Sequence, residues 1–127
     1  MTNTPTAFVN GDYLPLDQAK ISILDRGFLF ADGVYEVTAV LKGQLIDFLP
    51  HIERLNRSCG EIELPQPWSI DELTKIHREL IKQSGLTDGL IYLQLTRGAE
   101  EKRNFPFPAD TKPSLVMFTQ AATMYDN

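Results

Sequence analysis

Four groups of side chains could carry chemistry in this sequence. His51, Glu53, Arg54 and Arg57 fall within one short stretch. An imidazole, a carboxylate and two guanidiniums so spaced can do acid–base work, and they equally describe a polar helix face laced with intrahelical ion pairs. Arg54 lies well off the apolar stripe of its helix, which alone directs it to solvent, and the same holds for Arg57. Tyr92, Gln94 and Thr96 alternate with Ile91, Leu93 and Leu95. Such a mixed strand face lines a polar cavity or meets water. Glu100 to Asn104, which includes Arg103, is a charged turn running into Phe105-Pro106-Phe107-Pro108. Tyr35 shares its phase with Val37, Ala39 and Leu41, the pattern of a core or edge-strand tyrosine. Two histidines, His51 and His77, and the single Cys59 make neither a metal-ligand cluster nor an internal disulfide. No phosphate-cradling glycine motif, nucleophile elbow or Walker pattern is present.

These groups need elements to hold them. Ala7 to Asn10 and Tyr13 to Pro15 read as a hairpin turning at Gly11-Asp12. Between Ile21 and Gly33, charges and glycines surround Phe28, Leu29 and Phe30 in an irregular loop, the kind of segment that often carries function. The β-branched run Val34 to Leu41, the turn Lys42-Gly43 and the partner Gln44 to Phe48 predict a second hairpin. Pro50 suits the first turn of a helix over residues 50–61, with Leu49, Ile52, Leu55, Cys59 and Ile62 as its apolar stripe. Ser69 and Glu72 form a capping box for a helix over 70–84, with Ile70, Leu73, Ile76, Leu80 and Ile81 buried and Gly85 as the stop. Leu90 to Arg97 is a strand with one core face, and Ser114 to Gln120 is apolar enough for burial on both faces. Strands at both ends and a helix pair between them predict an α+β domain, a mostly antiparallel sheet covered on one face by two helices.

With 127 residues and 43% hydrophobic content, the chain fits one domain that buries its own core. A net charge of −5 and a pI near 4.9 argue against nucleic acid as a partner. No apolar run approaches a bilayer span and no leader pattern opens the chain, so a soluble, cytoplasmic protein with no membrane partner is expected.

The order and spacing of DRGFLFADGVYEV, HIERL, the capped helix, IYLQLTRG and KRNFPFP resemble the fold-type IV aminotransferases, across nearly the whole chain. That group holds D-amino acid aminotransferases, branched-chain aminotransferases and aminodeoxychorismate lyase. IYLQLTRG followed by an arginine is most similar to the D-amino acid enzymes, and (R)-selective amine transaminases share much of it. The resemblance implies that residues 1–127 are the small N-terminal domain of an enzyme using pyridoxal 5′-phosphate. It gives Arg54 the cofactor's phosphate, reversing the solvent-facing expectation. Tyr35 and Val37 become the substrate wall, Tyr92 an aromatic on the neighbouring strand, and Arg103 the group that binds the substrate's α-carboxylate. Where D-amino acid aminotransferases usually place a histidine two residues after that arginine, this chain has Phe105. None of Lys20, Lys42, Lys75, Lys82, Lys102 or Lys112 aligns with the family's catalytic lysine, expected in a larger domain beyond Asn127. The implied reaction transfers an amino group between D-amino acids and 2-oxo acids in a homodimer. A branched-chain or other amino acid or amine transaminase comes second and an aminodeoxychorismate-type lyase third. A non-catalytic fragment serving as a folding or dimerisation module is the contrasting expectation.

Overall fold

The computed structural model describes residues 4–108 and 111–122. Strands β1 (Thr6–Val9) and β2 (Asp12–Pro15) pair antiparallel. Their turn is Asn10-Gly11, with φ of 50° and 102°, the left-handed pair that a tight hairpin demands and Asn-Gly readily supplies. It therefore sits one residue earlier than the sequence suggests, and Asp12 opens β2. The expected irregular loop contains a five-residue helix, α1 (Arg26–Phe30), capped where the Asp25 side chain accepts a 2.8 Å hydrogen bond from the amide of Gly27. So short a helix shows no periodicity in sequence.

Strand β3 (Gly33–Leu41) turns at Lys42-Gly43, φ 51° and 74°. Its partner β4 is only Gln44–Leu45, because Asp47, at φ 53°, swings the chain into helix α2 (Phe48–Glu61). Pro50 thus sits in the first turn, where its missing N–H has no intrahelical partner to lose. Helix α3 (Ile70–Ser84) begins with the predicted capping box, both Ser69–Glu72 hydrogen bonds measuring 3.0 Å, and ends at Gly85 with φ 62°. Strands β5 (Gly89–Thr96) and β6 (Ser114–Ala121) complete a six-stranded sheet in the order β2-β1-β6-β5-β3-β4. Each neighbouring pair is antiparallel, so the expected α+β architecture is found.

The core lies between one sheet face and the two helices. Ile52 and Leu55 of α2 and Leu73 and Leu80 of α3 meet Ile91, Leu93, Leu95, Leu115 and Met117, all 2% exposed or less. Full burial of each such side chain contributes about 1.5–3 kcal/mol. Leu49 and Ile70, assigned to the apolar stripes by spacing, stay exposed in the first turns of their helices.

Two expectations about strand faces are corrected. On β3 the buried phase is Glu36, Thr38 and Val40, while Tyr35 is 64% exposed on the other side, so of its two readings the core one falls and the edge-strand one stands. A carboxylate can occupy the core phase because Arg54 and His51 of α2 meet it, as described below. On β6 only the phase of Leu115, Met117 and Thr119 is buried by the helix layer; Val116 and Phe118 are half-buried on the opposite face. Because β4 pairs only with Val40 and Leu41, the outer edge of β3 from Gly33 to Thr38 is unpaired among the described residues.

Candidate functional site

Along that open edge the side chains of α2 reach β3. Glu36 projects under the helix and is 5% exposed. Both its oxygens are engaged. Arg54 donates from Nε to Oε2 at 2.8 Å and from Nη2 to Oε1 at 2.9 Å, and His51 Nδ1 lies 2.8 Å from Oε1. Burial pushes the Glu36 carboxyl up, but hydrogen bonds and charge from Arg54 and His51 outweigh it and hold the group below the usual carboxylate range. Arg54 is in turn raised, chiefly by its hydrogen bonds to Glu36. The Arg54 side chain is 57% exposed, so local periodicity was right about its access to water, yet two hydrogen bonds fix its direction. Its Nη1 makes no hydrogen bond among the described residues. Arg54 and Ser58, one helical turn later, line a cleft of about 330 Å³ with Tyr35, Glu36 and Val37.

The opposite sheet face carries an aromatic row. The antiparallel register sets Val37 opposite Tyr92 and Tyr92 opposite Phe118. Tyr92 stacks on Phe118 with ring centroids 5.1 Å apart and on Tyr35 at 5.8 Å. Burial, followed by the neighbouring Tyr35, pushes the Tyr92 phenol up, so it remains a neutral donor near neutrality. Its hydroxyl points to Gln94 Oε1 at 3.4 Å. Thr96 shares the phase of Tyr92 but is 3% exposed. A Cβ on Gly27 would come within 2.3 Å of the Thr96 methyl, so α1 closes directly over that end of the face.

Arg103 belongs to a third group. Its guanidinium lies 5.0 Å from the centroid of the Phe30 ring, and Phe30 meets Phe105 edge-on at 5.7 Å. Beneath them are two buried guanidiniums, Arg26 and Arg97, whose Nε atoms both donate to Asp32 Oδ2, at 2.9 and 2.8 Å. Burial raises the Asp32 carboxyl, but its hydrogen bonds to Arg97 and Arg26 and their charges prevail and hold it below the usual range. Arg97 also donates to the carbonyls of Ile62 and Glu63, tying the end of α2 to β5.

Arg54, Tyr35 and Val37 are thus gathered around one cleft, Tyr92 stacks against Tyr35, and Arg103 stands in a separate cluster on Phe30. Sequence reasoning missed Glu36, Arg26, Asp32 and Arg97. A signal existed for Glu36, since a lone acid in the β-branched run VYEVTAVL must be exposed or matched by a buried cation. Arg26 and Arg97 stood only within the DRG and TRG motifs, with no role attached, because each is adjacent to a glycine in what reads as a loop or a strand end.

A family model described as amino-transferase class IV matches residues 33–127. A D-alanine aminotransferase from Staphylococcus aureus (strain MSSA476) is 39% identical over 115 residues, which cover 90% of this chain and 40% of that protein. The chain therefore spans well under half the length of the curated relatives it matches. Among solved structures, a branched-chain amino acid aminotransferase from Escherichia coli superposes with a TM-score of 0.86 at 20% identity, over 96% of this chain and 41% of that one. The T.th. branched-chain amino acid aminotransferase, solved with pyridoxamine 5′-phosphate, gives a TM-score of 0.86 at 16% identity, over 98% and 42%. At such identities the superpositions speak for the fold.

Proposed function

The chain belongs to the amino-transferase class IV family, and from that premise we propose that the complete protein uses pyridoxal 5′-phosphate to move an amino group between D-amino acids and 2-oxo acids. The observation that carries this is the cleft at the open edge of β3, where a guanidinium aimed by a buried carboxylate stands beside Tyr35 and Val37. The donor set fits a phosphate. Arg54 keeps Nη1 for a phosphate oxygen while Glu36 fixes the plane of the group, and Ser58 adds a hydroxyl at the same cleft. Bound pyridoxal phosphate supplies an electron sink that lets a bond at the amino-bearing carbon break. The chain's own residues do the rest of what falls to them. Arg54 anchors, Tyr35, Val37 and Tyr92 shape the substrate wall, and Arg103 receives the α-carboxylate. The 39% identity to a D-alanine aminotransferase supports the D-amino acid as substrate.

One observation favours a second reading. Phe105, 70% exposed beside Arg103, puts an apolar ring where the resemblance leads one to expect a histidine, which suits another amino acid or a neutral amine. The complete enzyme, loaded with cofactor, is to be assayed with D-alanine, L-alanine, L-leucine and a neutral amine against a common 2-oxo acid. D-alanine is expected to lead by on the order of a hundredfold in kcat/KM, a ratio within reach of active-site discrimination. A preference for L-leucine would move the enzyme to the branched-chain class, and turnover of a neutral amine alone to the amine class. A homodimer is part of this proposal, supported by the outward-facing Ile23 and Phe28, 76% and 70% exposed. Sedimentation of the complete protein at the monomer mass would remove it.

A further inference from the structure

Arg26 contacts both ends of the segment that carries Arg103. Its backbone amide donates to the carbonyl of Gly98 at 2.8 Å, and Asp25 forms an isolated bridge with Ala99. Its guanidinium, on a residue 2% exposed, donates from Nη1 to the carbonyl of Asn104 and from Nη2 to that of Phe105 at 3.0 Å. Nε is held by Asp32. Glu100, from the middle of the segment, places Oε1 3.5 Å from Nη1, with no hydrogen bond to it among the described residues. Arg103 itself rests on Phe30, the same ring whose centroid lies 4.7 Å from the Arg26 guanidinium.

We infer that Arg26 is a positioning residue, clamping the carbonyls of Asn104 and Phe105 so that the adjacent Arg103 presents its guanidinium in one place. This rests on the proposed role of Arg103 toward the substrate carboxylate. Burying two guanidiniums costs desolvation even when an anion partners them, and beyond the shared Asp32 their Nη donors go to backbone carbonyls of loops. Only arginine can do this from one position. Its planar fork directs three donors at once to Asp32, Asn104 and Phe105, whereas a lysine ammonium is a compact charge with no such geometry. The Phe30 ring is the second contact, fixing where the Arg103 side chain lies once its backbone is set.

The test compares the complete enzyme with its Arg26→Lys variant, which keeps the charge facing Asp32. Amide hydrogen exchange is expected to rise across the Gly98–Phe107 segment and to stay unchanged in β5 and α3. KM for an amino acid is expected to rise on the order of tenfold, the scale of one charge-assisted hydrogen bond misplaced. KM for a neutral amine of the same side chain should hold, and kcat should change little for either. Unaltered exchange in the segment overturns the clamp whatever the enzyme turns over. Raised exchange with equal loss for both substrates reduces Arg26 to a structural part and overturns the positioning role. If the unmodified enzyme transfers no amino group, the function proposed above fails, and exchange alone decides whether Arg26 holds the segment. Should Arg26→Lys not fold, Asp32→Asn keeps the side-chain volume and weakens the hold on the Nε that aims the Arg26 fork. The same rise in exchange across the segment and the same KM split are then expected, and unaltered exchange or an equal change for acid and amine overturns the inference.

Discussion

Arg54 shows why helix periodicity is a poor guide to where a long side chain ends. The wheel reports the direction of the Cα–Cβ bond, whereas an arginine stem can run along apolar surface and deliver its head elsewhere. Here the head is brought back to the sheet edge by Glu36, whose burial was hidden because strand alternation gives two phases without saying which is inside. Resemblance to a family assigned Arg54 a phosphate; only coordinates reveal the carboxylate that aims it. A guanidinium so held has already lost much of its rotamer freedom before any ligand arrives. In the complete protein, Arg54→Ala is therefore expected to weaken retention of pyridoxal phosphate, on the order of tenfold in Kd. Glu36→Gln should weaken it in the same direction by less, since the anchor remains but swings. Cofactor absorbance after gel filtration reads both; retention equal to the unmodified protein in Arg54→Ala removes the phosphate role.

At the level of elements, the sequence was most legible where local chemistry and tertiary packing agree. Helix α3 has a reciprocal cap and a glycine stop where they were expected, and its apolar stripe holds at Leu73, Ile76 and Leu80 while Ile70 in the first turn stays exposed. Replacing Ser69 with Ala leaves the amide of Glu72 without its 3.0 Å acceptor and should cost about 1 kcal/mol. A denaturation midpoint unchanged by Ser69→Ala would show that water substitutes fully for the cap. Boundaries failed where one residue's conformation overrode a propensity. Asp47 in the left-handed region cut β4 to two residues and started α2 early, and α1 was too short to announce itself. The inner phase of β3 went unrecognised because Tyr35 and Val37 are apolar enough to pass for core, while the acid between them is inside.

The whole molecule should be sensitive to acid in two stages. His77 is 2% exposed, packed edge-on against Phe48 with Nδ1 2.6 Å from the carbonyl of Leu73, and burial pulls its pKa down from 6.5 to about 4. The folded form thus resists a proton that the unfolded chain accepts, so stability falls as pH drops from 6.5 toward 4, by about 3 kcal/mol. Below that, Asp32 and Glu36, both held under the ordinary carboxylate range, lose their contribution as pH falls further through their depressed values. Urea midpoints measured across this span should show the first decline flattened in His77→Leu; an identical slope would mean that His77 titrates normally in the fold. The pleat of β3 carries one more consequence. Glu36 faces the helix layer, while Tyr35 and Val37 lean the other way, so under the proposed function selection can redraw the substrate wall without loosening the grip on the coenzyme. Libraries randomised at Tyr35, Val37 and Tyr92 should yield mostly folded, coenzyme-loaded variants with diverse tastes, whereas the same effort spent on Glu36 should lower coenzyme retention across the set.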